Sequence, residues 1–265
     1  MKEFDIGRFL LLPNRKLCGF IVEAEPKPGV LSKISAVPAA YNAVILCVSY
    51  SMPSLKDKTI RGLGFVDLTN TNISAEKIAE EMRNLKGVKK VEVIQSPIEG
   101  FIADACFHRI LMGGERAIIL RKWGYSGLIS GVRERFGTGG EAFLYYFGFE
   151  AGIKYGRSHM EIGLKLGLAD PIKIAQLICV HLFNSVGFGK LKIMEIKADP
   201  PKAIFRIYDS FECELGLKSG KPYSQLIRGM IAGYLSIFFN RRMKAKEVKC
   251  IAKGDPYCEF MVEPE

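Results

Sequence analysis

The sequence lacks a hydrophobic run long enough to span a lipid bilayer. Its richest apolar stretches, residues 141–153 and 172–183, fall short of the ~20 uninterrupted apolar residues that a membrane helix needs. The first residues contain Glu3 and Asp5 and no small-residue cleavage pattern, which argues against a signal peptide. We therefore expect a cytoplasmic protein that does not bind membranes.

Histidine is scarce, and this limits the catalytic chemistry that can be assigned. Of the three histidines, His108 lies in a connecting segment, His159 in a polar helical stretch and His181 among apolar residues, where a core histidine is the simplest interpretation. No serine, histidine and aspartate set can be located. The glycine-rich residues 137–143 match neither the P-loop nor the dinucleotide-binding pattern. We therefore expect a protein without catalysis.

Cysteine is too sparse for a disulfide-dense scaffold, with seven residues in 265. Four of them have apolar or strand-like neighbours, and we expect buried structural thiols at Cys18, Cys47, Cys106 and Cys179. Glutamine is rare while lysine and glutamate are common, which leans towards a thermophilic composition. Intracellular disulfides occur in hyperthermophiles, so a disulfide stays among the alternatives.

What the sequence does contain is an ordinary globular balance, with 48% hydrophobic and 25% charged residues. The net charge of +10 can indicate a nucleic acid or another acidic partner. The lysines are spread along the chain, with one dense patch at residues 240–249, and we favour dispersed surface charge. DNA or a transcription factor stays open as a partner.

The first third of the chain has the pattern of a ferredoxin-like unit. Strands are predicted in residues 18–25, 42–52, 60–69 and 88–95, and helices in residues 28–41 and 73–88. The first helix places Val30, Leu31 and Ile34 on one face, and Ser74 caps the second. The order strand–helix–strand–strand–helix–strand is the βαββαβ arrangement.

The remaining chain predicts a second α+β domain. Residues 117–123 are interpreted as a strand, and residues 127–157 as two helices separated at their glycine cluster. A further helix opens at Asp170 and Pro171. Its apolar face is expected to carry Ile174, Leu177, Ile178 and His181. Two hairpins, in residues 189–213 and 244–263, flank a last helix, whose Gly229 and Gly233 are expected to allow close packing on a sheet.

Two cysteines flank the last turn of the chain. A turn centred on Gly254 places Cys250 and Cys258 at equal distances from it, so that they can face each other across the hairpin. Two thiolates suit Zn²⁺, and Glu247 can add an oxygen if a bulge or strong twist brings it to the same face. Cys213 is a candidate for the fourth ligand. Two packed reduced cysteines, or a cross-strand disulfide, are the alternatives.

Aromatic residues cluster in residues 122–127 and 142–149. They are candidates for the lining of an apolar ligand pocket, together with a histidine of the next helix: Trp123, Tyr125, Phe143, Tyr146, Phe147 and His181. The aromatic residues equally suit an ordinary core or contacts across a dimer.

The C-terminal part resembles the 4-vinyl reductase domain family. The resemblance covers roughly residues 110–265 and is strongest near the end, where Cys-x-x-x-Gly-Asp-x-x-Cys-x-Phe stands at residues 250–260. The family is similar in fold to vesicle-tethering TRAPP subunits, and its relatives include sensor domains of phenol- and toluene-responsive activators. The resemblance implies a domain that binds a small molecule.

The same resemblance implies a structural zinc, because the sensor relatives hold one with a glutamate and three cysteines. Glu247, Cys250 and Cys258 fall on three of these positions. Ser224 stands where the remaining cysteine belongs. Either Cys213 replaces the missing ligand or the zinc is absent.

The first domain resembles the ACT domain, a regulatory ligand-binding module, over residues 18–95. The resemblance implies a ligand at the helix N-terminus, around Pro28, Gly29 and Val30, and side-by-side pairing into a homodimer. The family usually has Asp or Asn two residues before the proline, where Pro26 stands here. An equal alternative is that Gly29 only permits a tight turn.

We therefore expect an N-terminal segment (1–17), an ACT-like domain (18–96) and a 4-vinyl-reductase-like domain (97–265). The predicted function is non-catalytic small-molecule sensing by a regulatory protein. A small apolar or aromatic ligand would bind the second domain, with a possible structural zinc. The alternative is an enzyme, or an accessory subunit of a reductase that acts on a vinyl or hydrocarbon group.

Overall fold

A computed structural model describes residues 3–52, 54–217 and 219–265. The chain divides into two compact units, Met1–Ile119 and Leu120–Glu265, and each is described by itself. The boundary placed at residue 97 from the sequence lies inside the first unit. The reason is that a strand at Phe101–Ala103 pairs with one at Phe9–Leu11, so both flanks of the expected ACT-like domain belong to the same unit.

The first unit is built on a four-stranded antiparallel sheet with two helices. Its elements are β1 (Phe9–Leu11), β2 (Leu17–Ala24), α1 (Val30–Ala40), β3 (Val44–Ser51), β4 (Ile60–Asp67), α2 (Ala75–Arg83), β5 (Val88–Gln95), β6 (Phe101–Ala103), β7 (Leu111–Met112) and β8 (Glu115–Arg116). The main sheet has the order β3-β4-β2-β5, while β1 pairs with β6 and β7 with β8. This is the predicted ferredoxin-like βαββαβ arrangement.

The two helices of the first unit cover one face of its main sheet. The Ser74 side chain accepts a hydrogen bond from the Lys77 N–H, so the predicted cap of α2 is confirmed. In α1, Val30 and Ile34 are buried as predicted, whereas Leu31 is 38% exposed. The predicted face was wrong at Leu31, because the helix turns that position away from the sheet.

The second unit combines a helical layer with a second four-stranded antiparallel sheet. Its elements are α3 (Lys122–Lys165), α4 (Pro171–Ile174), a π-helical turn (Ala175–Cys179), α5 (Val180–Ser185), β9 (Lys190–Ala198), β10 (Pro201–Tyr208), α6 (Phe211–Glu214), α7 (Leu226–Phe238), β11 (Met243–Lys249), a 3₁₀ turn (Ile251–Lys253) and β12 (Cys258–Pro264). The sheet order is β11-β12-β10-β9. The two predicted hairpins and the helix between them are confirmed, and the whole chain is α+β.

The long helix α3 is interrupted at Gly137, whose φ of 53° and ψ of −131° are not helical. The predicted break at the glycine cluster is therefore confirmed. The predicted strand at residues 117–123 was wrong, because α3 already begins at Lys122 and the residues before it pair with no described strand. Despite its 44 residues, α3 does not combine the length and apolar character that a membrane crossing demands, nor does any other described helix.

Helices α3 and α7 pack through glycines on both sides. We call Gly148, Gly152, Gly229 and Gly233 the glycine seam. A Cβ atom added at any of these positions would lie 1.9 to 2.1 Å from a backbone oxygen of the facing helix. The prediction that the glycines of α7 face a sheet was wrong. Their missing side chains instead allow the two helix backbones to meet.

Candidate metal cluster and ligand cavity

Four buried side chains of the second unit converge on one point: Cys213, Glu247, Cys250 and Cys258. Their ligand atoms all lie within 4.8 Å of one another. The Sγ atom of Cys213 is 3.5 Å from Oε1 of Glu247. The structure thus brings together all four residues that the sequence nominated for a metal.

Each member of the cluster is held by a different local structure. Cys213 lies on the short helix α6. The register of β11 against β12 shifts between Glu247 and Lys249, and this is the bulge that Glu247 needed to join the cysteines. Cys250 follows the strand directly, and its N–H donates to Asp255 Oδ2 at 2.8 Å. Cys258 is the first residue of β12.

The electrostatics of the cluster favour a cation. Hydrogen bonds from the thiols of Cys213 and Cys258 lower the pKa of Cys250 to about 2, which makes Cys250 the first thiolate of the group. Burial, followed by the charge of Cys250, raises the pKa of Glu247 to about 8. A bound cation would stabilise the charged forms of all four groups.

The donor set also has the size of a four-coordinate site. Three sulfurs around a tetrahedral ion with bonds of about 2.3 Å lie roughly 3.8 Å apart. The observed spread of up to 4.8 Å is therefore close to what such an ion requires. All seven cysteines are free thiols in the structure. Outside the cluster, Cys18 and Cys179 are buried as expected, Cys47 is only partly buried, and Cys106 is exposed, so its predicted burial was wrong.

Ser224 stands beside the cluster and orients its carboxylate. The backbone N–H of Ser224 donates to Glu247 Oε2 at 3.1 Å. Its hydroxyl donates to Oε2 of Glu212 at 3.3 Å instead of pointing at the cysteines. The residue at the expected cysteine position therefore supports the site, while Cys213 supplies the third sulfur.

Glu212 is a buried carboxylate that sequence reasoning missed. It accepts hydrogen bonds of 2.8 to 3.0 Å from the N–H groups of Gln225, Leu226 and Ile227 at the start of α7. Nη2 of Arg133 from α3 lies 3.1 Å from the same carboxylate. Glu212 thus caps α7 and joins it to α3. No local sequence signal identifies this contact, because its partners are far away along the chain.

We expect Glu212→Gln to lower the free energy of unfolding by about 3 kcal/mol, because it leaves the Arg133 guanidinium buried without a counter-charge. Glu214→Gln is the matched control, since Glu214 is 46% exposed and pairs with Lys122 on the surface. Its expected effect is below about 1 kcal/mol. Urea unfolding of both variants measures the difference, and equal small effects would remove Glu212 from this role.

A separate apolar cavity of about 130 Å³ lies inside the second unit. Its walls come from α3, the π-helical turn, α5, the sheet and α7, and they include Ala175, Cys179, Leu182, Phe183 and Ile231. The π-helical turn places Ala175 and Cys179 on the same wall. Such turns are frequent at functional sites.

Polar groups in the cavity wall are few. Nδ1 of His159 lies 3.4 Å from the hydroxyl of Tyr234, and the two rings meet edge to face at 5.5 Å. Burial lowers the pKa of His159 to about 4, so the imidazole is neutral at pH 7. The wall therefore offers a neutral nitrogen and a hydroxyl within an otherwise apolar surface.

The aromatic residues predicted to line a pocket lie elsewhere. Trp123 is 83% exposed, and Phe143, Tyr146 and Phe147 are each at least half exposed. On α3 the glycine seam faces α7, so residues 143, 146 and 147 lie on the opposite side of the helix. Tyr125 is buried, but it stacks on Phe211 with a centroid distance of 4.7 Å and does not contribute to the cavity wall.

The predicted apolar face after Asp170 was only partly right. Asp170 caps the helix as expected, and Ile174 and Ile178 are buried. Leu177 is 56% exposed, and His181 is exposed instead of lying in the core or the cavity. The π-helical turn explains the difference, because its wider hydrogen bonding shifts the buried face away from the spacing of a regular helix.

In the first unit, the expected ligand site at the start of α1 is only partly accessible. Pro28 and Gly29 are exposed, but the Val30 side chain is buried in the core and cannot contact a ligand. Gly29 adopts a φ of 81°, which other residues rarely adopt. The turn alone therefore accounts for this glycine.

Comparison with known proteins matches residues 203–264 to the 4-vinyl reductase domain, which confirms the resemblance for these residues. The uncharacterized protein MJ0150 of Methanocaldococcus jannaschii is 35% identical over 29% of this chain and 45% of its own length. The uncharacterized protein MJ1642 of the same organism is 27% identical over 49% of this chain and 69% of its own. The chain thus spans less than half of the first relative.

Among solved structures, the phenol-responsive sensory domain of the transcription activator PoxR, crystallised with phenol, has a similar fold. Its TM-score is 0.53 at 18% identity, covering 59% of this chain and 80% of that domain. The similarity defines the second unit as an α+β domain with the architecture of a sensory domain.

Proposed function

We propose that the chain is a ligand-responsive regulatory protein whose second unit binds a small apolar molecule. The cavity beside His159 and Tyr234 carries this proposal, since it is built almost entirely from apolar side chains. Its volume of about 130 Å³ is near the ~150 Å³ of an engineered apolar cavity that binds benzene. A ligand of about one aromatic ring fits that size.

The cavity wall also limits the charge of the ligand. Within the described residues, the wall contains no carboxylate, ammonium or guanidinium group. A charged ligand would lose its hydration there without gaining a counter-charge. The neutral His159 and the Tyr234 hydroxyl can accept or donate one hydrogen bond, so an uncharged molecule with a single polar group is favoured.

Titration calorimetry with phenol, benzene and benzoate tests this ligand class. We expect phenol to bind, benzene to bind more weakly and benzoate not to bind at pH 7. Ala175→Phe should weaken phenol binding at least 30-fold, because the larger side chain fills the cavity. Leu177→Phe, at an exposed position of the same π-helical turn, is the matched control. Equal affinity for phenol and benzoate would contradict the proposed site.

We further propose that the cluster of Cys213, Glu247, Cys250 and Cys258 holds a structural zinc ion. Three sulfurs and one carboxylate oxygen suit tetrahedral Zn²⁺, and four protein ligands leave no open position for chemistry. A regulatory role in place of catalysis agrees with this closed donor set. Stoichiometric flavin or haem absorbance in the purified protein would instead favour a reductase subunit.

The first unit is proposed to act as an ACT-type regulatory module (18–96), and the remaining chain (97–265) as the ligand-binding domain. The support for the first part is its βαββαβ topology. The backbone amides after Gly29 are the proposed ligand contact there. DNA or a transcription factor is the proposed recipient of the signal, and binding of the chain to promoter DNA in a mobility-shift assay would test the direct route.

We propose a homodimer in which the exposed aromatic face of α3 forms the contact. Phe143 and Phe147 stack at 6.2 Å and are each at least half exposed, a costly arrangement for a free surface. Phe143→Glu with Phe147→Glu is expected to convert a dimer into a monomer in light scattering. Leu177→Glu, also exposed, should leave the mass unchanged. A wild-type monomer would contradict this contact.

A further inference from the structure

The outer face of the sheet in the second unit is exposed and carries a surplus of basic side chains. Inward-facing residues of β9–β12 are buried, and the alternate residues face outward. At one end of this outer face, four cations lie with two tyrosines. We call them the basic-aromatic patch: Lys190, Lys192, Arg206, Lys249, Tyr208 and Tyr257.

Strand register brings the patch together. Arg206 on β10 lies opposite Glu259 on one side and Lys192 on the other. Lys249 lies opposite Glu259 from the far strand. A row of cation, carboxylate, cation and cation therefore crosses all four strands. Lys190 lies opposite Tyr208 in a neighbouring row.

The cations gather around the aromatic rings. Tyr208 and Tyr257 have ring centroids 5.5 Å apart. The guanidinium of Arg206 lies 4.4 Å from the Tyr257 centroid, and the ammonium of Lys192 lies 5.3 Å from that of Tyr208. Lys249 Nζ donates to the Tyr257 hydroxyl at 3.1 Å. Positive charge is therefore held next to partly exposed rings.

This arrangement differs from the rest of the same sheet face. Elsewhere the lysines are matched by carboxylates, as in Lys197 with Glu195 and Lys244 with Glu263. In the patch, only Arg206 has such a partner, Glu259 at 2.5 Å. Across the described residues, no carboxylate lies within ion-pair distance of the patch's three lysines. Four cations against one carboxylate leave a formal surplus of three positive charges.

We propose that the basic-aromatic patch binds single-stranded nucleic acid. The three lysines without a carboxylate partner supply the charge that neutralises phosphates, and the tyrosine rings supply surfaces on which bases stack. Single strands lie across open sheets in this way, with aromatic side chains under the bases. A duplex groove is read by a protruding helix or ribbon, whereas this patch lies on a sheet surface.

Fluorescence anisotropy with labelled 20-nucleotide oligo(dT) and oligo(U) tests the proposal. For three neutralised phosphates, the slope of log affinity against log salt is expected to be about −2. Lys192→Gln with Lys249→Gln should weaken binding at least tenfold and reduce the slope by about 1.4. Lys165→Gln with Lys173→Gln removes the same charge from the exposed helical side and should change neither quantity.

Replacing the rings separates stacking from charge. Tyr208→Ala with Tyr257→Ala should weaken binding at least tenfold while leaving the salt slope unchanged, and Phe at both positions should restore the affinity. Three results would overturn the proposal: equal losses in the two lysine variants, tighter binding of a duplex of the same length, or heparin binding that the tyrosine variant does not distinguish from oligonucleotide binding.

Discussion

Protein purified without added metal is expected to contain one zinc ion per chain, and Cys250→Ser with Cys258→Ser is expected to contain none. Loss of the ion should lower the free energy of unfolding by several kcal/mol, because metal binding is coupled to folding. The loss should be large here, since the four ligands join α6, β11, the turn after it and β12. Elemental analysis and thermal unfolding measure the two effects.

The role of Cys213 can be separated from that of the hairpin cysteines. Cys213→Ser is expected to lose zinc. Adding Ser224→Cys to that variant should restore it, because Ser224 already contacts Glu247 through its backbone. Ser224→Cys alone is the control and should keep one ion. A Cys213→Ser protein with full zinc and unchanged stability would show that this thiol is not a ligand.

Replacing a glycine of the seam is expected to cause the second large effect. A Cβ atom at Gly233 would lie 2.0 Å from the backbone oxygen of Phe149. Since backbone cannot move aside as a side chain does, Gly233→Ala should lower the free energy of unfolding by about 3 kcal/mol. Denaturant unfolding measures this loss.

Gly131 provides a control with the opposite sign. It also lies in α3, but a Cβ atom there meets nothing within 4 Å. Gly131→Ala should therefore stabilise the protein by about 0.5–1 kcal/mol, because alanine favours a helix interior. If both substitutions were stabilising, the glycine seam would not be a close backbone contact.

Local patterns were enough to predict most elements and the metal cluster. The hairpin around Gly254 places Cys250 and Cys258 through chemistry that lies within a few residues. Even the bulge beside Glu247 followed from the conflict between strand alternation and the need for a third ligand. These predictions succeeded because neighbours along the chain decide them.

The cavity and the cap of α7 could not be predicted in the same way. Ala175 and Cys179 reach the cavity because a π-helical turn changes the helical spacing, and no residue in that segment marks such a turn. Glu212 and Arg133 are 79 residues apart. Contacts of this kind depend on how elements pack, which periodicity does not reveal.

The β1–β6 pairing shows the same limit for domain boundaries. Phe9 lies opposite Ala103 across a two-stranded sheet, although neither segment has a long alternating pattern. Three-residue strands provide too little periodicity to be recognised. The two flanks were therefore assigned to separate parts of the chain, while the structure places them in one unit.

Binding of a ligand in the cavity of the second unit can be observed residue by residue with methyl-resolved NMR during titration with phenol. We predict saturable shifts confined to methyl groups of the cavity wall, such as those of Val180, Leu182 and Ile231. Methyl groups in the core of the first unit, such as Ile78, should not shift. Unchanged wall signals at millimolar phenol, or shifts centred on other residues, would contradict a ligand site in this cavity.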